Sequence, residues 1–266
     1  MSSDEEVKLT FWGHLVELFR RLRIIFFAIA ICTIVVMVVP ISFESSGMWY
    51  PTITSTVIKQ MQIDFLPSGA ELLPFHWIAP LEVYLFISII LGVMISSPVI
   101  AYELYKFINP ALRKREKKAV LKFVVPFVGL YFVGSTFGYL LIAPIMMRTL
   151  MGFAGLLGLP PIYEFADFYS LIGMTLFISG LIFTFPVFLI ALVKAGFITT
   201  GFIRRNRRYV YGGIIILIAI IDPEPGLVTE AVLFIPILIL MESSLLIARR
   251  IERRMAEEYQ RGSKNS

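Results

Sequence analysis

The chain has 266 residues, 58% of them hydrophobic and 16% charged, with a mean hydropathy of +0.82. A soluble domain carries about 25% charged residues, so this composition excludes a water-soluble globule and indicates a polytopic membrane protein. The formal charge of +5 does not indicate a nucleic-acid binder, because the bases gather at the ends of apolar runs and form no continuous face.

In chain order, the stretch HLVELFRRLR reads as a helix with His14, Glu17 and Arg21 on one face and Leu15, Leu18 and Leu22 on an adjacent stripe. Glu17 can simply pair with Arg21. A receptor for paired cations would instead need two separated carboxylates, because two guanidinium groups share one acid poorly. The apolar run that follows, Leu22–Ile41, is too long for a signal-peptide core and has no small-residue cleavage site, so it reads as a retained first span. Its Cys32 is the only cysteine, which supports neither a disulfide framework nor a thiol metal site.

Five further runs follow: Pro80–Ile108, Ala119–Ala143, Phe168–Val193, Tyr209–Ile221 and Leu227–Ala248. The first four runs of the chain are long enough for about 30 Å of hydrocarbon. Tyr209–Ile221 would reach only about 20 Å as a helix, and in the last run only Ala231–Met241 is free of charge. Two short spans predict a locally thinned bilayer or support from longer neighbours. Alternate connecting segments hold 22 and 2 of the 24 Lys and Arg residues. The positive-inside rule then puts both termini, the 109–118 loop and the 194–208 loop in the cytoplasm, a parity that six spans satisfy. The expected fold is all-α, a curved and concave bundle of six membrane helices forming one domain over 1–266, with a cytoplasmic tail at 249–266.

On the outer side, a helix opened by Pro51 would turn Ile53, Val57, Ile58 and Met61 to one face and Lys59 and Gln60 to the other, forming a cap at the interface. MGFAGLLGLPP, with Gly152, Gly155 and Gly158, reads as a bent loop, and DPEPG at Asp222–Gly226 as a tight acidic turn. Breakers recur at Pro126, Gly129, Gly134, Gly138, Pro186 and Pro236, and Gly134 with Gly138 forms a GxxxG that admits a close helix neighbour.

Catalysis has little support. His14 and His76 fall on opposite sides of the membrane, and no P-loop, HExxH or GxSxG occurs, so no enzyme, cofactor or metal is expected. Ionisable groups at membrane depth are the remaining signals. Glu103 and Lys106 would pair as helical neighbours, Glu82 favours its helix N-terminus, and Glu242 would pair with Arg249 or Arg250. Glu230 stands with no base nearby, and protonation, an interfacial position and contact with another polar helix all remain open. FINPALRKREKK, residues 107–118, holds one acid, Glu116, among five bases. Glu116 either pairs with Arg113 or Lys117 or is kept free for a cationic ligand. A secondary transporter of a small ion or metabolite, coupled through Glu82, Glu103 or Glu230, is the alternative from another class.

HLVELFRRLR resembles the N-terminal HLxELRxRL motif of the TatC family, the polytopic receptor subunit of the twin-arginine protein translocase. The resemblance continues through SSPVIAYELYKFINPALRKREKK, FGYLLIAP, FPVFLIALVKAGFIT and IPILILME, and so covers most of the chain. It implies a multi-pass protein of a prokaryotic cell membrane that binds the twin-arginine signal peptides of folded cargo. Export would be driven by the proton-motive force, with TatA-type and TatB-type single-span partners and a homo-oligomer within a larger complex. It places Glu17 and Glu116 as the arginine-binding carboxylates, with Arg21 in the same motif and Phe107 and Pro110 shaping the loop. It places Tyr139 and Glu230 at positions of function or of partner-helix contact. Phe19 stands where the family usually has Arg, Thr184 replaces the acid of the family's FExP pattern, and IDPEPG is one residue longer than the family's TPPD.

Overall fold

The computed structural model describes residues 11–41, 50–108, 117–221 and 227–264. Long apolar runs become long helices: α1 (Phe11–Val38), α3 (Ala79–Ile108), α4 (Lys117–Phe137) and α6 (Phe165–Lys194). A π-helical turn, Gly138–Ile142, joins α4 to α5 (Ala143–Leu156) without a break. Among the described residues, four helical stretches are long and apolar enough to cross a membrane: Leu15–Val38, Ala79–Ile108, Val120–Leu156 and Phe165–Lys194. The remaining helices are α2 (Ile53–Phe65), α7 (Thr200–Arg205), α8 (Arg207–Ile221) and α9 (Leu227–Lys264).

Helix α6 is the central post, packed against α3, α4 and α9. Its approach to α4 depends on glycine. A Cβ at Gly134 would lie 2.6 Å from the Ser179 carbonyl oxygen, and one at Gly180 would lie 2.5 Å from Ser135 Oγ. The GxxxG of Gly134 and Gly138, which runs from α4 into the π turn, therefore serves contact inside this chain. Helix α1 lies along α3 and packs otherwise on α2. Much of its apolar surface, including Phe26 and Ile31, is exposed, as suits a helix facing lipid.

The cap forms as the apolar pattern of 53–65 requires, with Met61 and Phe65 buried against α3, α5 and α6. Its start differs from expectation. Thr52, after Pro51, is the N-cap, and it forms a reciprocal capping box with Ser55. Beyond α2, β1 (Glu71–Leu73) pairs in parallel with β2 (Ile162–Glu164), a small sheet within an otherwise helical fold. The expected bent loop at MGFAGLLGLPP is helical as far as Leu156, and the turn comes only at Gly158, with φ of +70°. The earlier glycines lie on a helix already extended by the α4 register, where glycine lowers helix stability without ending the helix. Helix α9 likewise continues through the 249–266 tail as far as Lys264. The DPEPG turn at Asp222–Gly226 lies outside the described residues.

Candidate functional site

Arg21 Nη1 donates to Glu103 Oε2 at 3.0 Å and Arg21 Nε to Glu17 Oε1 at 3.1 Å; Nη2 also donates to Glu17 Oε1. The packing of α1 on α3 makes this possible. At Gly92 a Cβ would come within 2.2 Å of Thr33 Oγ1, so the two helices lie nearly backbone to backbone and their charged ends converge. The spacing of Glu17 and Arg21 on one face of α1 supplies the first pair, and α3 supplies the second acid. The side chain of Glu103 is 9% exposed, against 16% for Arg21 and 21% for Glu17. Two carboxylates therefore share one guanidinium, leaving one negative charge in excess among these three groups. They line an open pocket of about 650 Å³ together with Trp12, Val16, Arg20, Ile24 and Lys106, so its charged lining is two acids and three bases.

This arrangement corrects the expected Glu103–Lys106 pair. Lys106 lies over the Tyr102 ring, 4.1 Å from its centroid, and leaves Glu103 to Arg21. A planar guanidinium can fork between two acids where an ammonium acts as a single point charge. Glu242 likewise takes partners other than Arg249 or Arg250. Arg207 Nη2 donates to its Oε2 at 3.1 Å and the Tyr211 hydroxyl donates to its Oε1, because α8 folds back along α9.

Phe107 is half-buried in the last turn of α3, one turn past Glu103. Ile108 and Val120 flank the cluster of Tyr105, Phe123 and Phe127 that ties α3 to α4. The segment carrying Pro110 and Glu116 is thus attached at the end of the bundle where Arg21 binds its two acids. Both Pro110 and Glu116 lie outside the described residues. Tyr139 sits near the opposite end, in the π-helical turn. Its hydroxyl donates to Asp64 Oδ2 of α2, and its ring meets Phe65 edge-on with centroids 4.9 Å apart. Thr184 is buried in α6 and donates to the Leu181 carbonyl at 2.6 Å. Glu230 falls in the first turn of α9, and its side chain is outside the described set. Phe19 is exposed on α1. Beside the small sheet, partial burial and the neighbouring Asp167 carboxylate push the Glu164 carboxyl above its ordinary value, Glu82 adds to the shift and His76 opposes it.

Sequence reasoning found Glu17, Arg21 and their shared face. It missed Glu103 as the partner of Arg21 and Asp64 as the partner of Tyr139. The available signal was the cost of a carboxylate within a span, which demands a cation, but helix spacing pointed to the nearer Lys106.

Residues 13–236 match the family model described as Sec-independent protein translocase protein (TatC). A TatC of Desulforapulum autotrophicum is 29% identical over 266 aligned residues, covering 99% of this chain and 93% of that one. A TatC of Aquifex aeolicus is 31% identical, covering 76% of this chain and 83% of its own. Among solved structures, a crystal structure of the twin-arginine translocase receptor TatC superposes with a TM-score of 0.72 at 28% identity, covering 88% of this chain and 99% of that chain. With a family model covering most of its length, and a relative and a solved fold aligned over most of both chains, the chain belongs to the TatC family of the Sec-independent, twin-arginine protein translocase.

Proposed function

We propose that this chain is the signal-peptide receptor and scaffold of its translocase, and that it binds the twin-arginine motif of folded cargo through Glu17 and Glu116. The observation that carries the reading is the site around Glu17: its carboxylate, in the lining of an open pocket, already holds a guanidinium, that of Arg21. Phe107 and Pro110 shape the adjoining loop and orient Glu116.

In this reading the whole chain works as one membrane domain with six spans and both termini in the cytoplasm of a prokaryotic cell. Helices α8 and α9 supply the last two spans. TatA-type and TatB-type single-span helices dock near Glu230 and Tyr139, with Thr184 marking the nearby position where the FExP acid is replaced. Copies of the chain assemble within a larger complex, and the proton-motive force drives transport. A secondary transporter coupled through Glu103 would need that carboxylate exchangeable, whereas Glu103 is held by Arg21.

The test is equilibrium binding of a labelled twin-arginine signal peptide to the full chain in lipid nanodiscs, compared with the same peptide carrying Lys-Lys. The receptor reading expects the substituted peptide to bind more weakly by about tenfold or more, since lysine cannot make the bidentate pair. Equal binding of the two peptides, or solute uptake by the chain alone in proteoliposomes, would contradict it.

A further inference from the structure

We infer that Arg21 is a resident guanidinium which the ligand's arginine displaces from Glu17, and that Glu103 is the holding carboxylate that retains Arg21 during the exchange. The inference rests on the receptor reading of Glu17.

The arrangement has two unequal halves. Arg21 turns its Nε and Nη2 on one oxygen of Glu17 and its Nη1 on Glu103. The donor set that a ligand arginine would bring to Glu17 is thus already present. The Glu17 pair spans one helical turn and is the less buried of the two, and ion pairs at this helical spacing contribute little. Glu103 is the more buried acid, and stripping the cation from a carboxylate costs more the more deeply it is buried. When a competing guanidinium arrives, Arg21 therefore leaves Glu17 and stays with Glu103. The exchange turns two acids on one base into two separate ion pairs, so the incoming charge is neutralised. Lys106 does not substitute for Arg21, because it lies over Tyr102.

Glu103 is then a positioning residue of the receptor site. It acts through Arg21, and its removal should matter only while Arg21 is present. In lipid nanodiscs, the labelled twin-arginine peptide is titrated against the full chain and the variants Glu103→Gln, Arg21→Gln, Arg21→Lys and the Glu103→Gln/Arg21→Gln pair. Glu103→Gln should weaken binding by about tenfold, the scale of one charge-assisted contact, because Arg21 then turns wholly onto Glu17. The double variant should recover the affinity of Arg21→Gln, which should be at least that of the unsubstituted chain. Arg21→Lys keeps a cation beside buried Glu103 but cannot fork, and should tighten binding by about threefold.

Unchanged affinity in Glu103→Gln, a double variant as weak as Glu103→Gln alone, or weaker binding in Arg21→Lys would each overturn the inference while leaving the receptor reading intact. An unsubstituted chain that does not bind the peptide would overturn both. Should Glu103→Gln fail to fold, as judged by its thermal transition, the Arg21→Lys result decides.

Discussion

Burial sets the order of the charges around Arg21. Glu103 is most enclosed, Glu17 least, and the guanidinium between them has one partner it can leave and one it cannot. The same reasoning applies at the opposite end of the bundle. Tyr139 donates to Asp64, an acid open to water, so Tyr139→Phe leaves an acceptor that water can satisfy. Its expected cost is about 1 kcal/mol, that of an ordinary hydrogen bond, read as a small fall in the thermal midpoint in detergent. Glu164 gives a pH dependence. Its carboxyl is raised above the ordinary 4.5 by partial burial and Asp167, so the folded chain holds this proton more tightly than the unfolded chain. Stability from this group is greatest below the ordinary value and falls as pH rises through the folded value. Glu164→Gln should therefore raise the midpoint at about pH 7 and change little at about pH 4, as thermal scans at the two pH values would show. Of these contacts, only the Glu17–Arg21 spacing was legible in the sequence. Glu103 lies 82 positions from Arg21, and no helical periodicity links residues so far apart.

At the scale of elements, periodicity and length served well where one helix determines its own form. The long apolar runs and the amphipathic cap were legible because hydrocarbon thickness and one-sided burial leave few alternatives. Legibility failed where neighbours decide. Gly152 and Gly155 read as loop residues, yet they continue the helix that runs from α4 through the π turn. The two-strand pairing joins segments about ninety residues apart, and nothing local specifies it. Gly134 and Gly138 signalled a close neighbour, but only the fold identifies it as α6. The contact makes a sharp prediction. Gly134→Ala sets a Cβ against the Ser179 carbonyl, which is backbone and cannot rotate away, and should destabilise the chain by about 1–3 kcal/mol as overpacking does. Gly129→Ala, where nothing lies within 4 Å, should be neutral or stabilising by up to about 1 kcal/mol through helix propensity. Thermal unfolding of the two variants side by side tests this.

For the whole molecule, family membership, four long apolar helices and the charge asymmetry of the connecting segments describe a multi-pass membrane subunit of a protein translocase. Helix α8, with 15 residues, reaches about 22 Å and falls short of the usual hydrocarbon thickness of about 30 Å. It packs through Ile214 against Ile237 of the longer α9, so the proposed last two spans support each other. The proposed topology predicts that reporters fused at either end of the chain report the cytoplasmic side, while a reporter within 43–79 reports the outside. The candidate site is legible to a different degree: motif resemblance singles out Glu17 and Glu116, and the fold adds the guanidinium that Glu17 already holds. The central claim is that these two acids receive the two arginines of a signal peptide. Titrating one labelled twin-arginine peptide against the full chain, Glu17→Ala and Glu116→Ala in nanodiscs tests it most directly. The account predicts tight binding to the unsubstituted chain and loss of binding in each variant; undiminished affinity in both variants would contradict it.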